Sequence, residues 1–269
     1  MSLEISHIVV NGCSFTYCQG LDAPWVHGWP ALLANKLNVP VVNLCVPGSG
    51  NDGILRRTTE YFYKNKHLPG KPLYIIAFSH ATRREEFFKS YKGKHTEDYL
   101  GLDLSASAVD LVSSLYDFKD KDLYEYAHIM HLSYEACERK KFLNWSNIVN
   151  LFRANNIPYI TADYMPTFDD NVIEYMEKNY SEIYYECLRD KNYAGRLCDV
   201  TKQFKKTSCG HDPLDAMPLV CDALFKKITE IYGKVNKFNS QDKMFLNLKE
   251  FYSERTRSVL AWNLWLQNS

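Results

Sequence analysis

The sequence lacks the features that mark several large classes of protein. Lys plus Arg and Asp plus Glu are both 32, so the formal charge is zero and favours neither nucleic acid nor an anionic membrane as a partner. No run approaches the ~18 consecutive apolar residues of a membrane-spanning helix, and the first residues lack the basic segment of a signal peptide. We therefore expect a soluble, cytoplasmic protein with no nucleic-acid or membrane partner.

The sequence also lacks the usual patterns of metal-binding or disulfide-bonding cysteines. Its eight cysteines form no CxxC pair and are spread along 269 residues. Zinc sites and small disulfide-bonded proteins have closely spaced cysteines instead. We expect reduced, mostly buried thiols and neither a metal nor a cofactor.

The chain does contain short apolar runs that alternate with amphipathic segments. Four runs are typical of buried strands and cover residues 8–10, 40–46, 72–78 and 157–163. Residues 29–37, 51–66 and 123–155 are predicted to be helices. Strands that alternate with helices indicate an α/β fold with a parallel sheet and right-handed crossovers.

This alternation is interrupted in the middle of the chain and stops before its end. Residues 83–86 are interpreted as the solvated start of a helix, residues 88–125 as an insertion or lid, and residues 164–207 as an irregular segment with helical pieces. Spaced aromatic and apolar residues over 235–269 indicate a helical C-terminal extension. We therefore expect one α/β domain over residues 1–234, and the C-terminal helices are candidates for contacts in a homo-oligomer.

Small and polar residues follow the predicted strands, at the sheet edge where open α/β sheets bind ligands. Ser14 follows the first apolar run, Gly48 and Asn51 follow the second, and Ser79 follows the third. His211 lies in a loop before a predicted helix. Nucleophilic catalysis by a hydroxyl needs a serine, a base and donors for the developing oxyanion. We predict that Ser14 is the nucleophile and that His211 is the general base.

Three segments resemble sequence blocks of the SGNH (GDSL-type) hydrolases. The run Gly12-Cys13-Ser14-Phe15-Thr16 resembles the first block, in which Gly-Asp-Ser carries the nucleophile. Residues 42–51 resemble the second block, and Gly48 matches its oxyanion glycine. Residues 209–213 resemble the final block, and His211 matches its catalytic histidine.

The resemblance covers residues 5–85 and returns at 205–230. It implies a flavodoxin-like three-layer sandwich with a central parallel sheet of about four to five strands. It also implies an esterase that forms an acyl-enzyme on Ser14 while His211 moves the proton. The expected partner is a small-molecule or glycan ester, for example an O-acetyl group on a carbohydrate.

The first and third blocks differ from the family pattern at two positions. Cys13 replaces the aspartate before the nucleophile, and Ser79 stands where the family has its oxyanion asparagine. Asn51 in the neighbouring loop is a candidate substitute. The predicted oxyanion hole therefore combines the N–H groups of Ser14 and Gly48 with Asn51 or Ser79.

The final block differs at the aspartate that supports the histidine, because Ser208 stands at that position. Either another carboxylate supports the histidine, or the serine and histidine work as a dyad. The candidate carboxylates are Asp212, Asp215 and Asp163.

Two other functions are consistent with parts of the sequence. The missing asparagine and aspartate favour a catalytically inactive SGNH-like module that serves in binding or structure. A nucleotide-binding domain has less support, because Gly48-Ser49-Gly50 lacks the third glycine and the lysine of phosphate-binding loops.

Overall fold

The computed structural model describes residues 2–68, 70–81, 83–86, 100–103, 134–164, 177–179, 181–183 and 186–237. Within these ranges the strands are β1 (Ser2–Ile5), β2 (His7–Asn11), β3 (Val41–Asn43), β4 (Pro72–Phe78), β5 (Arg83–Glu86), β6 (Leu100–Asp103), β7 (Tyr159–Asp163), β8 (Tyr193–Arg196) and β9 (Lys234–Lys237). The main helices are α1 (Ser14–Tyr17), α2 (Pro24–His27), α3 (Trp29–Leu37), α4 (Asn51–Asn65), α5 (Tyr134–Ala154), α6 (Leu197–Thr201) and α7 (Met217–Tyr232). A 3-10 turn spans Leu214–Ala216.

The centre of the fold is a five-stranded sheet in the order β3-β2-β4-β7-β8. All of its neighbouring strands are parallel, and parallel neighbours need crossover connections of the kind that α3 and α4 provide. The prediction of an α/β fold with four to five parallel strands is confirmed. Because the strands are parallel, the loops that follow β2, β3, β4 and β7 all leave from the same edge of the sheet.

Alternate side chains of each strand enter two separate hydrophobic cores. On one face, Ile8 and Ile75 pack with α3 and α7. On the other face, Val9 and Tyr74 pack with α4 and α5. Strand side chains alternate between the two faces of a sheet, so one sheet covered by helices on both faces gives three layers.

The predicted helices correspond to α3, α4 and α5, and α5 begins at Tyr134. The earlier part of the predicted 123–155 helix lies outside the described residues. No helix in the described ranges is long and apolar enough to cross a membrane. None of the eight cysteines forms a disulfide, and six of them are buried.

Several elements differ from the sequence-based expectations. The segment 164–207 was expected to be irregular, but it contains β8. The sequence of β8, Tyr-Ala-Gly-Arg, has no apolar run that would predict a strand. Residues 234–237 form β9, which pairs with β1, although 235–269 was expected to be helical. Residues 83–86 form β5, an antiparallel partner of β6, and do not begin a helix.

Most of the predicted insertion and C-terminal extension lies outside the described residues. Only β6 falls within the predicted insertion, residues 88–125, and the described chain ends at residue 237. The lid, the helical extension and its contacts with a second copy stay predictions.

Candidate active site

Ser14 lies at the carboxyl edge of the sheet, where it is the first residue of α1 and is 4% exposed. The turn that brings it there requires glycine at position 12. A Cβ on Gly12 would lie 2.2 Å from Thr16 Oγ1 and 2.9 Å from the Ala77 carbonyl oxygen of β4. The N–H of Ser14 is in the first turn of a helix, where backbone N–H groups have no partner within the helix. It can therefore serve as a donor to an oxyanion.

The loop between β3 and α4 runs beside this turn. The Val46 N–H donates to the Gly12 carbonyl oxygen at 3.3 Å. Gly48 has a φ of +76°, and no described atom lies within 4 Å of the position that a Cβ would take. Arg57 fixes the loop by donating to the Leu44 carbonyl oxygen at 3.0 Å and to Ser49 Oγ at 2.5 Å. Among the described residues Gly48 thus borders open space, and its role as an oxyanion donor stays a prediction.

Asn51 connects the loop after β3 to the loop after β4. Its Oδ1 accepts a hydrogen bond from the Ser79 N–H at 2.9 Å. Its Nδ2 donates to the carbonyl oxygens of Ser79 and His80, both at 3.2 Å. Both ends of the amide therefore bind backbone groups, and an oxyanion role for Asn51 stays a prediction.

Ser79 is fully buried, and its hydroxyl contacts a cation. Arg83 Nη1 donates to Ser79 Oγ at 3.3 Å, and the Arg83 N–H donates to the His80 carbonyl oxygen at 3.2 Å. The sequence predicts a solvated helix start at Arg83, whereas the structure places its guanidinium at the strand ends. Ser79 as an oxyanion donor also stays a prediction.

His211 lies in the loop between α6 and the 3-10 turn, and its ring packs against the residue that follows Ser14. The ring centroids of His211 and Phe15 are 4.6 Å apart, and Phe15 also packs on Tyr164 with centroids 5.2 Å apart. The tertiary structure therefore brings the predicted base into contact with the residue after the predicted nucleophile, almost 200 residues earlier in the chain. No hydrogen bond joins Ser14 and His211 within the described part of the chain. Such bonds are often long in the absence of substrate.

The environment of His211 favours the neutral imidazole. Partial burial lowers its pKa, and the backbone carbonyl of Cys209 opposes this effect. Among the nearby charges, Arg83 and Lys206 lower the pKa of His211, and Asp212 raises it. The net effect is a pKa below the usual value, which keeps the imidazole able to accept a proton at neutral pH.

Two of the three candidate carboxylates lie near the histidine in sequence but do not bind it. Asp212 is buried and accepts hydrogen bonds from the Tyr164 hydroxyl at 2.7 Å and from Lys206 Nζ. Asp215 is exposed in the 3-10 turn. Within the residues described, neither carboxylate forms a hydrogen bond or ion pair with His211.

The third candidate, Asp163, ends β7 and is fully buried. Its Oδ2 accepts a hydrogen bond from Lys141 Nζ of α5 at 2.8 Å, and the Lys141 side chain is also fully buried. The ion pair connects the sheet to α5. As with the other two carboxylates, its predicted support of the histidine stays a prediction without a contact that favours it.

A side chain that does contact a ring nitrogen of the histidine is that of Cys209, which lies outside the predicted site residues. Cys209 Sγ lies 3.3 Å from His211 Nδ1. The only signal in the sequence was the Cys-Gly-His spacing, which places the two side chains on one tight turn. In the described ranges, no group of three or more His, Cys, Asp or Glu side chains could hold a metal ion.

Comparisons with known proteins support the assignment of the fold. No protein-family model and no curated protein matches the sequence. The crystal structure of TesA matches with a TM-score of 0.51 and 15% identity, covering 84% of this chain and 99% of that chain. The psychrotrophic esterase EstA from Pseudoalteromonas sp. matches with a TM-score of 0.49 and 15% identity, covering 84% of this chain and 98% of that chain.

A member of the lipolytic protein G-D-S-L family from Veillonella parvula is also similar. Its TM-score is 0.44 at 12% identity, covering 86% of this chain and 98% of that chain. Identities this low describe the fold and not the activity. Together with the parallel sheet and its helices on both faces, the match to TesA shows that this chain has the fold of the SGNH (GDSL-type) hydrolases.

Proposed function

We propose that this protein is a serine hydrolase that cleaves a small ester, with Ser14 as the nucleophile and His211 as the general base. The observation that carries the proposal is the packing of the His211 ring on Phe15, the residue after Ser14, with ring centroids 4.6 Å apart. This contact packs a histidine with a lowered pKa against the residue that follows the serine, and it supports the assignment of the histidine as the base. A hydroxyl and a nearby neutral base are the minimum set for nucleophilic catalysis.

In the proposed reaction, Ser14 Oγ attacks the acyl carbon while His211 Nε2 accepts the hydroxyl proton. The carbonyl oxygen becomes negatively charged, and the N–H groups of Ser14 and Gly48 stabilise it. His211 then gives the proton to the leaving alcohol, and an acyl group remains on Ser14. Water that loses a proton to His211 attacks the acyl-enzyme, and His211 returns this proton to Ser14 Oγ as the acyl–Oγ bond breaks and the acid leaves.

The proposed substrate is a small ester such as an O-acetyl group on a carbohydrate. This part rests on the resemblance of the sequence blocks to the family and on no contact in the structure. Arg83 and Lys206 contribute positive charge close to His211. Positive charge also favours the negative transition state of acyl transfer.

The test is reaction with a fluorophosphonate probe, followed by intact mass and peptide mapping. Ser14→Ala and His211→Ala are compared with the wild type, and Ser208→Ala is the matched control, since it removes an exposed hydroxyl from the histidine loop. We expect a single adduct on Ser14 in the wild type and the control, and none in the other two variants. Hydrolysis of 4-nitrophenyl acetate should follow the same order.

A second candidate function is an inactive SGNH-like module that binds a ligand or partner. The absence of a hydrogen bond between the described side chains of Ser14 and His211, and the serines at positions 79 and 208, favour this alternative. A folded wild type that neither reacts with the probe nor hydrolyses esters would support the module and contradict the hydrolase.

A further inference from the structure

The sulfur of Cys209 lies beside Nδ1 of His211. In a serine triad this ring nitrogen points away from the serine hydroxyl. In a Ser-His-Asp triad, a carboxylate binds Nδ1–H, which fixes the ring and leaves Nε2 unprotonated to accept the serine proton. Here Cys209 Sγ is 3.3 Å from His211 Nδ1. The three candidate carboxylates make other contacts, with Lys141, Lys206 and Tyr164, or are exposed to solvent.

We propose that Cys209 is the positioning residue of His211, and that its sulfur replaces the aspartate that the family has three residues before the histidine. This inference rests on the proposed function, because it assigns a role to the partner of the proposed base. Cys209 does not touch the reacting atoms, and it acts by setting the orientation and tautomer of the imidazole.

The turn from Thr207 to His211 holds the sulfur in place. The Thr207 N–H donates to the His211 carbonyl oxygen at 2.8 Å, and the Gly210 N–H donates to the Thr207 carbonyl oxygen at 2.9 Å. Thr207 Oγ1 lies 3.2 Å from Cys209 Sγ. On the other side, Gly20 has a φ of +96°, and a Cβ there would lie 2.7 Å from Sγ. The sulfur therefore lies beside Gly20, although the Cys209 side chain is exposed to solvent.

The contacts of the sulfur bear on its protonation state. Contacts with the Thr207 side chain and the His211 backbone lower the pKa of the exposed Cys209 thiol. Burial instead raises the pKa of Cys18, Cys198 and Cys221. The protonation state matters, because a thiolate accepts the Nδ1 proton, whereas a thiol would donate its own proton to Nδ1 and leave Nε2 protonated.

The first test measures the His211 tautomer directly and needs no substrate. Long-range ¹H–¹⁵N spectra of the ¹⁵N-labelled protein distinguish Nδ1–H from Nε2–H, and His211→Gln identifies the signals. We expect the Nδ1–H tautomer in the wild type and in Cys209→Asp, and a shift towards Nε2–H in Cys209→Ala. Cys198→Ala is the matched control, since it removes a half-buried thiol on α6 and should leave the spectrum unchanged.

The second test measures the effect on the base. We expect Cys209→Ala to slow the reaction of Ser14 with the probe by at least about 10-fold, since replacing the residue that orients the histidine of a serine triad lowers the rate by as much as about 10⁴-fold. Cys209→Asp should restore most of the rate. Relative to the wild type, the acidic limb of the rate–pH profile should move in Cys209→Ala and stay in place in Cys209→Asp. Arg83, Lys206 and Asp212 act on the pKa of His211 in all of these proteins, so they do not cause the difference.

Alkylation provides a check without mutagenesis. Cys209 is the exposed cysteine among the eight, so iodoacetamide under native conditions should add one label there. The alkylated wild type should show the tautomer and rate of Cys209→Ala, and alkylation should not affect Cys209→Ala itself.

Two results would overturn the inference. One is an Nε2–H tautomer in the wild type, or a tautomer that Cys209→Ala leaves unchanged. The other is a probe adduct on Cys209 in place of Ser14, which would make the thiol a nucleophile. Failure of the proposed function gives a different result, namely the expected tautomer shift in a protein that forms no adduct.

Discussion

The buried ion pair between Lys141 and Asp163 supports a quantitative test of what this carboxylate does. The Lys141→Met substitution keeps the volume of the side chain but removes its ammonium group, which lies 2.8 Å from Asp163 Oδ2. Both side chains have no exposure to solvent. The Asp163 carboxylate would then remain buried between α5 and the sheet without the Lys141 ammonium group to balance its charge.

The expected cost is large because both side chains are fully buried. At 2.8 Å, two unit charges attract each other by about 6 kcal/mol with an effective dielectric constant of about 20. Desolvation of both ions offsets part of this attraction, and measured losses on removing one partner of a buried pair are about 3–5 kcal/mol. We therefore expect Lys141→Met to lower the free energy of unfolding by about 3–5 kcal/mol.

The neighbouring residue provides a matched control. Lys140 Nζ lies 2.7 Å from Asp52 Oδ2, but these side chains are 45% and 21% exposed. Lys140→Met makes the same chemical change one position earlier on the same helix, and pairs this exposed contribute about 1 kcal/mol or less. The difference between the two variants therefore isolates the effect of burial.

Urea unfolding followed by circular dichroism measures both variants, and the double variant Lys141→Met, Asp163→Leu should recover most of the loss. We also expect Asp163→Asn to leave the His211 tautomer unchanged, because Asp163 contacts Lys141 and not the histidine. Equal costs for the two lysine variants would refute the reasoning about burial. A change of tautomer in Asp163→Asn would instead restore this aspartate as the support of the base.

Three further substitutions test the strand ends and the core. Gly12→Ala should destabilise the fold by about 1–3 kcal/mol in urea unfolding, because the added Cβ overlaps with Thr16; unchanged stability would contradict the close approach. Burial lowers the pKa of His7 to about 4 from 6.5, so the native state binds fewer protons than the unfolded state between these values. Stability should therefore fall by roughly 3 kcal/mol as the pH decreases across this window, and His7→Gln should remove the slope. Asn51→Ala leaves the buried Ser79 N–H without its acceptor and should cost about 2–3 kcal/mol; a loss of probe labelling at full stability would instead assign the Asn51 amide to the oxyanion.

The elements with strong local patterns were predictable from the sequence. β4 is a continuous apolar run, and α3 places Trp29, Leu33 and Leu37 on one buried face. Both patterns follow from the periodicity of strands and helices, which depends on neighbouring residues only. β8 and β9 carry no such pattern, and they become strands because β7 and β1 offer edges with which they pair.

The sequence by itself determined which groups meet at the carboxyl edge, because Ser14 and Gly48 follow strands of one parallel sheet and their position follows from strand order. Only the tertiary structure decided which group contacts the base. Asp212 is adjacent to His211 in sequence, yet its carboxylate binds Lys206 and Tyr164, while the cysteine two residues before the histidine contacts Nδ1. The physical reason is that a hydrogen bond needs two side chains to point at each other within about 3 Å. The direction of the Asp212 carboxylate is set by Tyr164, which is far from it along the chain, whereas the turn from Thr207 to His211 sets the direction of the Cys209 sulfur.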